Sequence, residues 1–320
     1  MLMKRVVAIV SGVIFLAIAA GGFLFRQDIF DWWRLRGYDP PKEVVKLADN
    51  TTMNDQSRRL FYVNHPSINN AEEFNANCHI EEFSIILGCY VQTKGIFLYD
   101  VKDKRLDGII EVTAAHEMLH AAYDRLSSDE RAEVDDLIVA AYEKLNSKRI
   151  KATAKEYEAR DPNSVINELH SILGTEVRNL PDELESYYKK YFGNRKKIVE
   201  YSEQYEAEFS SRQGRVVQID RQLASLKRKI ESSQVALDSG QQDLSSERAE
   251  LAALKDQGSV STYNAAVDDF NEKVADYNEL VNSTKSLINK YNVLVRERNA
   301  LAVEVQDLVE AIDSTPEKFN

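Results

Sequence analysis

The chain has 320 residues, with 41 basic and 52 acidic side chains and a formal net charge of -11. So acidic a chain has little field to hold phosphates, which argues against nucleic acid as a partner. Glycine (12) and proline (6) are scarce, disfavouring collagen-like and loop-dominated all-β folds, and two cysteines exclude a disulfide-rich scaffold or a four-thiolate zinc site.

The first element is Val6 to Phe25, a run without charge. Twenty residues at about 1.5 Å each span roughly 30 Å, the thickness of a bilayer's hydrocarbon layer. Lys4 and Arg5 precede the run and Arg26 ends it. The expectation is a cytoplasmic tip at 1–5, a transmembrane anchor at 6–25 and a remainder outside, on the extracytoplasmic side of the cell membrane. Arg34, Arg36 and Lys42 also flank the far side, so the charge asymmetry is not clean. A cleaved signal peptide, cut near Ala17-Ile18-Ala19, is the alternative; the continuation through Phe23-Leu24-Phe25 favours an uncleaved anchor. Residues 26–50 read as a juxtamembrane linker, with Trp32, Trp33 and Tyr38 at the interface and a stiff Asp39-Pro40-Pro41.

Further along, the pattern predicts an amphipathic helix over 43–60, then a strand at Leu60-Phe61-Tyr62-Val63. Phe83 to Val91 and Gly95 to Val101 read as a hairpin turning at Gln92-Thr93-Lys94-Gly95. Cys78 and Cys89 are candidates for a disulfide in an oxidising compartment. Two buried thiols, or a weak Cys78/His79/Cys89 metal site, are the alternatives. Asp107 is expected to cap a helix from Ile109 to Arg125 that is apolar nearly all round and therefore buried. Helices follow at 128–146, 149–160, 163–173 and 181–192.

From about residue 195 a heptad seam begins, through Val216, Ile219, Leu223, Leu226 and Ile230. Asp256-Gln257-Gly258-Ser259 breaks it, and a second seam follows through Tyr263, Val267, Phe270, Val274 and Tyr277. Two such segments around a glycine-containing turn predict an antiparallel coiled-coil hairpin over 196–312, with a tail at 313–320. Arms of about 50 residues would reach on the order of 75 Å. The hairpin is either an arm for a coiled-coil partner or a homo-oligomer, or a spacer packed only on itself.

The buried helix contains His116-Glu117-Met118-Leu119-His120, an HExxH sequence. Histidines at i and i+4 share a helical face, so both imidazoles reach one metal, and the adjacent Glu117 can act as general base toward a metal-activated water. Two histidines and a glutamate in an apolar helix also need partners, which a metal supplies. A catalytic zinc wants a third protein ligand. Tyr123 and Leu126 stand where an HExxHxxGxxH pattern has its glycine and last histidine. Glu168, in Asn167-Glu168-Leu169-His170-Ser171, is the leading third ligand, with His170 and Glu176 as competitors.

Together, His116-Glu117-Met118-Leu119-His120 and Asn167-Glu168-Leu169-His170-Ser171 resemble the gluzincins, the thermolysin-like zinc metallopeptidases, whose HExxH is followed by a glutamate helix of NExxSD type. His120-Ala121-Ala122-Tyr123-Asp124 resembles their HAxxD continuation. The likeness covers perhaps 75 residues, and more loosely the whole chain resembles membrane-anchored bacterial metallopeptidase-like proteins. The resemblance implies an α+β architecture: a small zincin-like domain over 51–195, followed by the hairpin and preceded by one transmembrane helix. It implies Zn²⁺ held by His116, His120 and Glu168, with Glu117 as the base and a peptide or protein as substrate. The family aspartate after Ser171 is Ile172 here, so another carboxylate must orient a zinc histidine; Asp124 and Glu111 are candidates. Tyr157, His170 and Tyr123 are candidates to stabilise an oxyanion, and Gly95 to Val101 is a candidate edge strand for substrate. A non-catalytic anchored scaffold that holds zinc and a zinc-dependent cell-wall hydrolase are the rival functions.

Overall fold

The HExxH helix is the element around which the first part of the chain packs. The computed structural model describes residues 25–78, 85–257 and 259–315. The expected anchor over 6–25 lies outside them, save Phe25. Among the described residues, no helix is long and apolar enough to cross a membrane. The chain is mostly helical, with a three-stranded sheet and a pair of long helices. It divides into two units, the first running through Glu208 and resuming at Glu310, the second being Phe209–Val309.

The first unit opens with α1 (Arg26–Leu35), α2 (Lys42–Asn50) and α3 (Asp55–Val63). The single helix expected over 43–60 is broken, with Thr52 at φ 55° and Met53 bridging to Phe192. Asn54 then caps α3 by accepting the Ser57 N–H, and helical spacing buries Leu60, Phe61 and Val63. The strand expected at Leu60–Val63 is therefore helix: a good cap and a 3.6-residue period outweigh the β preference of four residues. Where a linker was expected over 26–50, α1 and α2 form, and α2 buries Val44, Leu47 and Ala48 in the core. Tyr38 is tied to the folded unit, its ring stacked on His65 at 4.2 Å.

The strands are β1 (Ser67–Asn69), β2 (Gly88–Val91) and β3 (Gly95–Tyr99), in the order β1-β3-β2. β2 and β3 form the expected antiparallel hairpin, with Thr93 of the turn at φ 67°, but β2 starts at Gly88 rather than at Phe83, which lies outside the described residues; β1 lies parallel to β3. The candidate substrate edge at Gly95 to Val101 is consequently wrong, since β3 is central and β2 is the edge. β1 and the helix between it and β2, α4 (Ala71–Asn77), are too short to show a periodicity in sequence.

α5 (Ile109–Tyr123) buries Val112, Ala114, Ala115, Met118, Leu119 and Ala121. Its N-cap is Gly108 rather than Asp107. Gly108 sits at φ 96°, and a Cβ there would lie 2.7 Å from the Tyr201 ring, so conformation and space both demand glycine. α6 (Ser128–Lys144), closed at its start by a Ser127–Glu130 capping box, α7 (Lys148–Arg160), α8 (Val165–Glu176) and α9 (Asp182–Tyr188) follow, close to the expected spans.

The long pair is α10 (Arg195–Gln257) and α11 (Val260–Ile312). Arg212 meets Glu304, Arg215 meets Glu297 and Glu247 meets Lys273, a falling register that makes the pair antiparallel. Ile219, Leu226 and Leu294 are buried along the seam, with Leu223, Leu287 and Tyr291 packed against them.

Candidate metal centre

α5 and α8 pack side by side, and this packing makes the site. Gly174 of α8 permits the approach, since a Cβ there would lie 2.5 Å from Leu119 of α5 and 2.8 Å from the Tyr188 ring. Arg195 fastens the far end of α8. Its buried guanidinium donates to the carbonyls of Leu173, Gly174, Val177 and Arg178 and pairs with Glu185 at 2.6 Å. A cation at those otherwise unpaired carbonyls is where the helix dipole favours it.

The two elements bring His116, His120 and Glu168 together. Nε2 of His116 is 3.0 Å from Nε2 of His120, and these atoms lie 3.3 and 3.4 Å from the two Glu168 carboxylate oxygens. Two ligands of a tetrahedral zinc, each at about 2.0–2.1 Å, stand roughly 3.3 Å apart. The donor set thus fits zinc in kind and in spacing, and all of its donor atoms fall within 4.8 Å of one another. Their side chains retain 12–16% exposure, so the group is sheltered but open on one side. The cleft in front of it has a volume of about 410 Å³ and is lined by Gly88, Tyr90, Glu117, Tyr157 and Asn167 among others.

Charge in the cluster is tightly shared. Burial works against a charged His120 ring, but hydrogen bonding to Glu168 and the charges of Glu117 and Glu168 prevail and raise it to about 9. His116 is raised by Glu168 in the same way, against burial. Burial would lift Glu168, yet the two imidazoles hold it far below the usual carboxylate range. The carboxylates therefore demand positive charge beside them, which protons or a metal ion can provide.

The orientation of His120 comes from Asn167. Oδ1 of Asn167 accepts from Nδ1 at 3.0 Å, which turns Nε2 toward Glu168 and His116, where it can hold either a proton or a metal. Sequence reasoning looked for a carboxylate in this role and missed the amide. The only signal is position: Asn167 immediately precedes Glu168, the leading third ligand, on the same predicted helix. Glu111 does not take the role, because it accepts from Asn50 at 2.9 Å. Asp124 stands on the cleft rim beside Tyr90, whose hydroxyl is raised to about 12 by burial and then by the Asp124 charge.

Glu117 is 5% exposed, and burial raises its carboxyl above the ordinary range. The Tyr90 main-chain N–H donates to it. Gly88 lies against it, and a Cβ there would come within 2.5 Å of Thr113 and 2.8 Å of Glu117 Cγ. The edge strand thus touches Glu117 directly. The disulfide between Cys78 and Cys89, observed as expected, ties β2 to the end of α4 and removes both thiols from any metal site.

The other candidates separate cleanly. Tyr157 is in the cleft, its hydroxyl hydrogen-bonded to Glu168 and raised by burial and by the charges of Glu168 and Glu117. Tyr123 is turned away and donates to Asp135 at 2.6 Å. His170 is fully buried behind α8, with Nε2 on the Tyr187 hydroxyl at 2.9 Å and its ring against Tyr123 and Tyr188. Burial, then the His120 and His116 charges, lower it to about 3, so it stays neutral. Its place is what excludes it as ligand or oxyanion donor, since it is buried against Tyr187 and does not line the cleft. Glu176 ends α8 in a pairing with Arg149 at 2.6 Å and is not a ligand. Comparisons with protein families, with curated proteins and with solved structures found no match for the chain.

Proposed function

We propose that this chain is a membrane-anchored, zinc-dependent metallopeptidase with a zincin-like catalytic domain. The observation that carries the reading is the convergence of three donor side chains at zinc spacing, with a buried glutamate next to them and an open cleft in front. His116, His120 and Glu168 would hold the metal. Bound zinc lowers the pKa of a coordinated water and polarises a carbonyl.

The chain's own residues do the rest. Glu117, held between the Tyr90 N–H and Gly88, accepts a proton at its carboxylate and returns it to the leaving amine. Its burial suits this work, because a carboxyl raised from its ordinary range holds a proton more readily. Tyr157 lines the same cleft, with its hydroxyl on Glu168, and is the side chain best positioned to turn and steady developing negative charge. The main-chain groups of Gly88 point to the same side as the Tyr90 N–H, because groups on one edge of an antiparallel strand recur every second residue. An extended peptide adds there as a further strand, which favours a peptide over a glycan substrate.

The deciding experiment measures zinc content and peptide hydrolysis for the purified full chain and for Glu117→Gln. The expected result is about one zinc per chain in both proteins, with hydrolysis in the wild type alone. Zinc without turnover would instead support the anchored scaffold, and absence of zinc from folded protein would remove both readings.

A further inference from the structure

α1 shows two unlike faces. Its inner face is fixed to the first unit. Asp31 is 4% exposed and takes both guanidinium nitrogens of Arg125 at 2.8 and 2.9 Å, just beyond the end of α5. Arg34 donates to the carbonyls of Val63 and Lys94. α1 is therefore part of the folded unit rather than a loose tether.

Its outer face is apolar and uncovered. Phe25, Ile29, Trp32 and Trp33 are 59%, 54%, 59% and 67% exposed. At 3.6 residues per turn these four fall within an arc of about 100° on the side away from Asp31. Arg36 extends the stripe, with its guanidinium 5.3 Å from the Trp32 ring centroid. Large aromatic side chains beside arginine, on a short helix that is polar underneath, make up the composition of a helix lying in the headgroup region of a bilayer.

The neighbouring sequence names the occupant. The stripe starts at Phe25, the last residue of the uncharged run Val6 to Phe25. We propose that α1 lies along the surface of the phospholipid bilayer, with Phe25, Ile29, Trp32 and Trp33 seated among the headgroups and upper acyl chains. This rests on reading Val6 to Phe25 as a membrane anchor, but goes beyond it. An anchor alone would leave α1 in water, whereas here the exposed stripe and the Asp31–Arg125 pair join the bilayer surface to the end of the metal-site helix.

The chain supplies its own reporter, because its only two tryptophans are Trp32 and Trp33. The full chain is reconstituted into vesicles of phosphatidylcholine and phosphatidylglycerol, with the phosphatidylcholine either plain or brominated near the top of its acyl chains. Flotation of the vesicles reports the anchor, and tryptophan emission reports α1. The expected result is co-flotation, blue-shifted emission, and loss of roughly half of that emission with brominated lipid. Trp32→Phe and Trp33→Phe should each retain the quenching, since both rings lie on the outer face. Co-flotation with emission quenched by acrylamide but not by bromine would overturn the proposal and leave the anchor standing. A blue shift insensitive to bromine and lost on dilution of protein in the vesicles would also overturn it, assigning the stripe to a second copy of the chain. Failure to co-float would overturn the anchor and the proposal together.

Discussion

The two units use the same material, α-helix, to opposite ends. Around α5 the helices close on one another with almost no tolerance. Gly174 and Gly88 mark places where no side chain fits, and the polar groups of the centre are held by named partners such as Asn167 and the Tyr90 N–H. In the hairpin, contact is a narrow seam with Ile219, Leu226 and Leu294 buried, flanked by solvent-exposed ion pairs such as Arg298–Asp220. A seam needs only a repeated apolar period. A centre that holds three donors at about 3 Å spacing needs every neighbour in place.

The largest effect that should divide the units is chemical. Glu117→Gln is expected to lower peptide hydrolysis by about 10²- to 10⁴-fold, the usual contribution of a general base, while zinc content is unchanged. Turnover assays beside elemental analysis check both halves, and equal turnover in the variant would remove Glu117 from the reaction. Replacing hairpin residues such as Val235, 71% exposed, should leave turnover as it was.

Next in size is metal affinity. Asn167→Ala is expected to weaken zinc binding by about 10- to 100-fold, as loss of a group orienting a ligand histidine commonly does. Asn167→Asp keeps an oxygen at the same place and should recover most of that loss. Competition with a chromogenic chelator gives the numbers, and affinity unmoved by the alanine would mean that packing alone fixes the His120 ring.

The same substitution should then have opposite signs in the two units. Gly174→Ala drives a methyl group to within 2.5 Å of Leu119 and should cost about 1–3 kcal/mol through overpacking. Gly214, exposed within α10, has nothing within 4 Å of such a methyl. There, alanine should stabilise the hairpin by about 1 kcal/mol through helix propensity alone. Thermal or denaturant unfolding of the two variants is the check; a loss at Gly214 would show that its surroundings are not open.

The smallest effect belongs to the hairpin's surface. Glu297→Gln, which breaks the pair with Arg215 at 2.6 Å, is expected to cost no more than about 1 kcal/mol, because both side chains are more than a third exposed. A much larger loss in chemical denaturation would mean that the ion pairs, rather than the apolar seam, hold the hairpin together.

Much of this contrast was legible in the residues. The heptad seams and the break near Gly258 were readable because a long period averages over many positions. His116, His120 and Glu117 were readable because helix geometry alone places i and i+4 on one face. Glu168 needed more, since a ligand from another helix depends on how two helices pack. Several of the misreadings fall where segments are short. Leu60–Val63 looked like a strand in four residues, and the cap at Asn54 made it a helix. β1 and α4 gave no periodic signal at all.

By itself, then, the sequence determined the helical hairpin, the HExxH face and the β2–β3 turn, all set by local spacing, and it offered the Cys78–Cys89 disulfide as one of three readings that the structure then resolved. Only the tertiary structure decided that Asn167 rather than Asp124 or Glu111 orients His120, that His170 and Tyr123 turn away, and that β2 rather than β3 is the edge beside Glu117. Those choices depend on close contacts between elements far apart in the chain. Glycines at Gly88 and Gly174 set these contacts through space left empty, and an empty space has no signature in the pattern of side chains.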